Sequence, residues 1–411
     1  MSLQTGKTRT PSELRLIEQA QAQNGNAAQR QALAALELEG LPNRRVEAWH
    51  YTDLRVLMDR ALKAAPESAE AADALLSPLL PHSVVVNLGA ENDSSHEGLT
   101  VTTSAIAPDW SRTFNHLDRD HDTIRVLNVA LGSAGSEITV DAGVNFAQPV
   151  ELRAIPRAAG SQAFARVNVG QGARAVFVER VPAAAAGSLS TAVSELVIQD
   201  DAEVLWIIDQ EKAASESYLG QISISLGANS KLMLFLLSAG GGLVRQEVHC
   251  ETVGEGADIQ IRGVNLLAGS QHVDITTSLT HSVAHTTATE ILRNVVMGGH
   301  GVFQGMIKVA KGAQKTDAKL ACNSLLLSDE GDFSAKPELE IFADDVQCGH
   351  GATAGEIDAD HLFYLMSRGI PEKEARALLV KAFVAEVVED IDNEAIVEVL
   401  EERIDSWLSA N

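Results

Sequence analysis

Short β-branched runs and turns rich in Gly, Asn and Asp recur through the middle of this chain at a nearly constant period. Aligning VGQGARAVFV (169–178), IQDDAEVLWI (198–207), LGANSKLMLF (226–235) and VGEGADIQIR (253–262) puts Ala173, Ala202, Ser230 and Ala257 in one column. Extending the period forward reaches Ala284 and Ala313, with steps of 29, 28, 27, 27 and 29 residues. The last two units match by spacing and turn composition more than by apolar content. A period of this length, carrying strands and turns with no helical pattern inside, predicts a β-solenoid in which neighbouring coils share a narrow core. A β-sandwich also gives short strands at regular intervals. Leucine-rich repeats have a similar period, but their L-x-x-L-x-L signature is absent. The phased repeat favours the solenoid.

Helical patterns flank this region. Residues 12 to about 80 are rich in Ala, Gln, Leu and Glu, with Ser12 as a helix cap, a break at Asn24-Gly25-Asn26, and a second helix over 27–39 stopped by Gly40 and Pro42. From 84 to 140 the pattern is mixed, with strand-like pieces at 84–86 and 99–101. At the other end, Asp358 caps a segment that Gly369 ends, Pro371 opens a helix to about Val388, and Asp392 caps a last amphipathic helix.

Composition narrows the function. A formal charge of −24 argues against nucleic acid and an anionic membrane surface as partners, since binding phosphate needs Lys and Arg clustered on one face. Aromatic residues are only 4% of the chain, low for a deep aromatic-lined pocket but compatible with a narrow Val/Ile/Leu/Ala core. No run approaches the ~20 apolar residues of a membrane helix, and the N-terminal residues lack the apolar segment of a secretory signal. Three widely spaced cysteines make no disulfide framework. The expected compartment is the cytoplasm, with thiols reduced.

The repeat also locates chemistry. Continued past a polar loop at 328–336, it reaches a strand over 341–351, IFADDVQCGHG, with Val346 in the small-residue register. Cys348 and His350 then occupy the columns held by Ala175 and Phe177, Val204 and Trp206, Leu232 and Leu234, and Ile259 and Ile261. Two residues apart on a strand, they share one face with Cα atoms about 6.5 Å apart. Thiolate and imidazole are both good ligands for iron or zinc. A closed site needs four ligands, so a C-x-H pair suits a site completed by another subunit; the alternative is a buried thiol and a hydrogen-bonded histidine. Cys322 is a further thiol ahead of an apolar strand. Cys250 and its neighbour His249 point to opposite faces, and Cys250 reads as structural. His272, His281, His285 and His300 form no recognised metal pattern and read as solvated or hydrogen-bonded.

The segments KPELEIFADDVQCGHGAT (336–353) and DHLFYLMSRGIP (360–371) resemble the C-terminal part of the SufD branch of the SufB/SufD family, the paired β-helix subunits of the SUF iron–sulfur assembly system. GLPNRRVEAWHYTDL (40–54) and RVLNVALGSAGSEITVDAGV (125–144) resemble two further family blocks. SufB-type chains resemble H-E-A-T where this chain has Cys348 to Thr353, and they carry a functional cysteine at the position of Cys322. The resemblance implies a mainly β fold with α ends. Its right-handed parallel β-helix (137–355) would lie between an N-terminal helical and mixed region (1–136) and a C-terminal helical docking region (356–411). It implies a non-catalytic scaffold that pairs with a SufB-type subunit and docks a SufC-type ATPase through its C-terminal helices. His350 would be the metal ligand at the subunit junction, Cys348 a supporting thiol and Cys322 an additional one. Iron or a nascent iron–sulfur cluster would be held there transiently, shared with the partner. An exposed sheet edge would also allow a homodimer. The rival readings are a purely structural partner without a metal role and a carbohydrate-cleaving β-helix enzyme. The latter needs paired carboxylates that the adjacent Asp344 and Asp345 do not make.

Overall fold

The computed structural model describes residues 9–411 apart from 24, 65–76, 91, 93–95, 105–108, 110–121, 156, 158, 182–183 and 211. The sequence expectations for Asn24 and for a helix across 65–76 therefore lie outside the described residues. One sheet runs, in spatial order, through β1 (Val84–Asn87), β4 (Val150–Arg153), β6 (Arg174–Arg180), β8 (Glu203–Gln210), β10 (Lys231–Ala239), β12 (Asp258–Leu267), β14 (Thr287–Val296), β16 (Asp317–Leu326) and β18 (Gln347–Gly355). The other runs through β2 (Leu99–Ser104), β3 (Ala134–Val140), β5 (Gln162–Val169), β7 (Leu189–Ile198), β9 (Ser217–Leu226), β11 (Leu243–Thr252), β13 (His272–His281), β15 (Gly299–Val309) and β17 (Gly331–Ile341). Each coil gives one strand to each sheet, so the chain winds as a right-handed parallel β-solenoid. The β2–β3 pair is antiparallel.

Alternation along each strand makes the core. Ala175, Val204, Leu232 and Ile259 stack in register, as do Phe177, Trp206, Leu234 and Ile261, all facing inward and buried. Each fully buried Val, Leu or Ile in such a column contributes about 1.5–3 kcal/mol. Register is secured at the turn, where Gly172, Asp201, Asn229, Gly256, His285 and Lys315 all take positive φ. The residue after each is buried: Ala173, Ala202, Ser230, Ala257, Thr286 and Thr316.

That pattern corrects the sequence alignment in two coils. The small-residue column passes through Thr286 and Thr316, not Ala284 and Ala313. Two residues beyond each threonine, Ala288 and Ala318 pair in line with Ile259. His285 and Lys315 hold the left-handed conformation that Gly or Asn usually supplies, which hid the turn. The threonine hydroxyls are satisfied internally: Thr316 donates to the Ala313 carbonyl at 2.9 Å, and Thr286 bonds His281 Nδ1 at 2.7 Å. Residues 331–336, read as loop, belong to β17, which pairs with β15 over its whole length.

Helices cover both outer faces. Helices α1 (Pro11–Gln21), α2 (Ala27–Glu39), α3 (Leu54–Ala64) and α4 (Thr123–Ala130) precede the solenoid coils, whereas α5 (Ala359–Ser367), α6 (Glu372–Val388) and α7 (Glu394–Ala410) follow them. Leu16, Leu36, Trp49, Leu54 and Leu127 cluster with Phe164, Val193 and Leu219 on the outside of the odd-strand sheet. Val380, Val384, Leu400 and Ile404 cluster with Val178, Ile207 and Phe235 on the outside of the other. The cap of α1 is Thr10 rather than Ser12, in a capping box with Glu13, while Ser12 bonds Asp59. Asn393 rather than Asp392 caps α7. Helix α4, inside the stretch read as mixed, is buried along its whole length and presents Arg125 to Glu195 at 2.7 Å.

Candidate functional site

Both residues of the C-x-H pair lie on β18, the last strand of its sheet. The register places Cys348 beside Ala318 and His350 beside Leu320, one coil on from Ala288 and Glu290. The inward columns traced through Ile259 and Ile261 therefore end at Cys348 and His350. Beyond β18 no further strand follows in that sheet, so its inward face is open at the solenoid end. Cys348 is half-buried against the core, and His350 is exposed.

Electrostatics separate the three cysteines. Burial raises the Cys348 thiol, Asp317 adds to that, and a hydrogen bond from the Ala318 backbone opposes it. Cys322 lies within β16, not ahead of it, fully buried and paired with Ala352 across the strand. It faces the same interior as His350, offset by two residues. Burial pushes its thiol up to about 12, although Asn294 Nδ2 donates to its Sγ at 3.3 Å. In this conformation Cys322 is a buried thiol whose ionisation burial disfavours. Cys250 faces the core and its thiol is raised by burial, while His249 faces the other way to Glu247.

Sequence reasoning missed Glu290. It sits in the column of Phe177, Trp206, Leu234 and Ile261, between Ile261 and Leu320, so the column runs Glu290, Leu320, His350 toward the open end. Its side chain is buried, and neither carboxyl oxygen has a well-formed hydrogen-bond partner. Burial pushes its pKa up to about 7, and the nearby Thr277 hydroxyl opposes this only in part. The signal was available: a charged residue where every earlier coil is apolar.

Among the described residues, no three His, Cys, Asp or Glu side chains converge on one point as they stand. A cysteine and a histidine on an open strand can hold an ion only if other ligands come from elsewhere. No helix among the described residues is long and apolar enough to cross a membrane. Helix α5 buries none of its residues and exposes Phe363, Tyr364 and Met366, with Phe363 at 72%.

Residues 155–383, more than half of the chain, match the family described as SUF system FeS cluster assembly, SufBD core domain. The chain is 36% identical over 163 residues to the iron–sulfur cluster assembly protein SufD of Escherichia coli, covering 39% of this chain and 38% of that protein. It is 31% identical over 219 residues to the iron–sulfur cluster assembly protein SufD of Bacillus subtilis, covering 52% and 50%. A SufBD family protein of Synechocystis is 31% identical over 200 residues, covering 48% and 44%. The matches span between 38% and 60% of the length of these and other curated relatives. The coil register, the open terminal strand and the matched core domain agree, and the chain belongs to the SufBD family, within which it is SufD-like.

Proposed function

We propose that this chain is a non-catalytic scaffold subunit for iron–sulfur cluster assembly, incomplete until its open solenoid end meets a SufB-type subunit. The observation that carries this reading is the placement of Cys348 and His350 on the terminal strand, which pairs on one side only, facing the end of the core. A paired strand or covering helix there would make them ordinary core residues. Uncovered, they present a thiol and an imidazole to whatever docks. His350 acts as the ligand for incoming iron or a nascent cluster, the cargo of the assembly, and Cys348 supports it as a thiol that the partner's charges must ionise. Cys322 stays structural unless docking opens the interior. The exposed apolar face of α5, beside α6 and α7, supplies the contact for a SufC-type ATPase. The unpaired edge of β18 also supports a homodimer of the isolated chain. The expected setting is the cytoplasm, without nucleic acid or membrane.

The test is co-expression with SufB-type and SufC-type subunits, purification, anaerobic reconstitution, and iron and sulfide analysis. His350→Ala is expected to leave the complex intact and to remove its cluster. Iron and sulfide contents that ignore the substitution would reduce this subunit to a structural partner.

A further inference from the structure

We infer that Arg293, Asn323 and Thr353 form a latch that fastens the terminal strand β18 to helix α6, which makes Arg293 and Asn323 positioning residues for Cys348 and His350. The three stand in one cross-strand column on the outer face of the sheet that ends at β18. Arg293 on β14 pairs with Asn323 on β16, which pairs with Thr353 on β18. Adjacent parallel strands lie about 4.8 Å apart, so neighbours in a column on one face are within side-chain reach.

Strand β18 has little else to hold it. It pairs on one side only, with β16, and from His350 onward each of its residues is exposed. Alternation turns Cys348, His350, Ala352 and Ala354 inward and leaves Gln347, Gly349, Gly351, Thr353 and Gly355 outward. At the three glycines, no atom from elsewhere in the described residues lies within 4 Å of where a Cβ would stand. Beyond Gln347, Thr353 is therefore the one outward side chain by which β18 can be gripped.

Directed bonds grip it. Asn323 Nδ2 donates to Thr353 Oγ1 at 2.6 Å. Arg293 Nη1 donates to Asn323 Oδ1 at 2.5 Å, and Nη2 donates to Glu386 Oε2 of α6 at 2.5 Å. A guanidinium can only donate, so it fixes the Asn323 amide with its oxygen toward Arg293 and its NH₂ toward Thr353. Arg293 is itself held, buried with its guanidinium carbon 5.4 Å from the centre of the Phe383 ring. Phe383 and Glu386 are neighbours on one face of α6, so a single helix face seats the guanidinium. On the inner side Asn294 bonds Ser324 Oγ and Cys322 Sγ, which ties β14 to β16 on both faces. A shift of α6 thus moves Arg293, then Asn323, and reaches β18 three residues from His350. The benefit to cargo binding rests on the role proposed for Cys348 and His350, whereas the latch is a property of the isolated chain.

Two readouts on the isolated, full-length chain test it: hydrogen exchange of residues 347–355 by mass spectrometry, and the rate of Cys348 alkylation by N-ethylmaleimide. Arg293→Met, Asn323→Ala and Thr353→Val should each speed exchange of that strand about two- to tenfold and speed Cys348 labelling. Glu386→Ala should do the same from α6. Peptides from β8 and β10 should keep their protection in every variant, which verifies folding. Thr353→Ser retains the hydroxyl and should retain the original rates. Arg293→Met combined with Thr353→Val should be no faster than Thr353→Val alone, because both break one series of bonds. Multiplying effects, Cys348 labelling that ignores the substitutions, or Glu386→Ala leaving residues 347–355 unchanged would each overturn the latch. Neither readout uses iron or a partner subunit, so the outcome is independent of the scaffold reading, which the His350→Ala complex tests separately.

Discussion

Replacing Glu290 by Gln should make the protein more stable at alkaline pH and change little at acidic pH. The carboxyl titrates near 4.5 in the unfolded chain and near 7 when folded, because burial disfavours its charge. Between those values the folded state binds more protons than the unfolded one, so stability falls as pH rises across the window and stays lower above it. At 1.36 kcal/mol per pH unit, a displacement of about 2.5 units gives a penalty of about 3 kcal/mol at high pH. About 2 kcal/mol of this develops between pH 5.5 and 8.5, a range that avoids the pI near 4.8. Glutamine keeps the shape and cannot ionise, and Thr277 can accept from its amide. The assay is urea unfolding followed by tryptophan fluorescence for both proteins across that range. The buried Glu179, also raised to about 7, is common to both and cancels in the difference. If the two stability–pH curves stay parallel within about 0.5 kcal/mol, Glu290 is not a desolvated carboxyl and the reasoning fails.

Two further outcomes follow from the same architecture. Arg245, buried beneath the N-terminal segment, pairs with Glu247 and Asp274 and donates to the Ala48 carbonyl; Arg245→Ala should cost about 3–5 kcal/mol in chemical denaturation by stranding two buried carboxylates. His285→Gly should raise the unfolding midpoint, by about 1 kcal/mol in stability, because His285 is exposed and held at φ 57°. An unchanged or lower midpoint would mean that its side chain contributes contacts offsetting that strain.

The sequence by itself determined the coil. Alternation on each strand and the αL turn residues Gly172, Asn229 and Gly256 are local properties that set the register of the first coils, and strand alternation alone put Cys348 and His350 on one face. Parity along a strand also separated His249 from Cys250. Where the turn residue was His285 or Lys315, the local signal failed and the column slipped onto Ala284 and Ala313. The exposure of His350 follows from β18 having no successor in its sheet, and the burial of Cys322 from its place inside β16. Burial is likewise decided at a distance. Asp274 and His272 are outward-facing strand residues, and both are buried and bonded by Thr52, 220 positions upstream of His272.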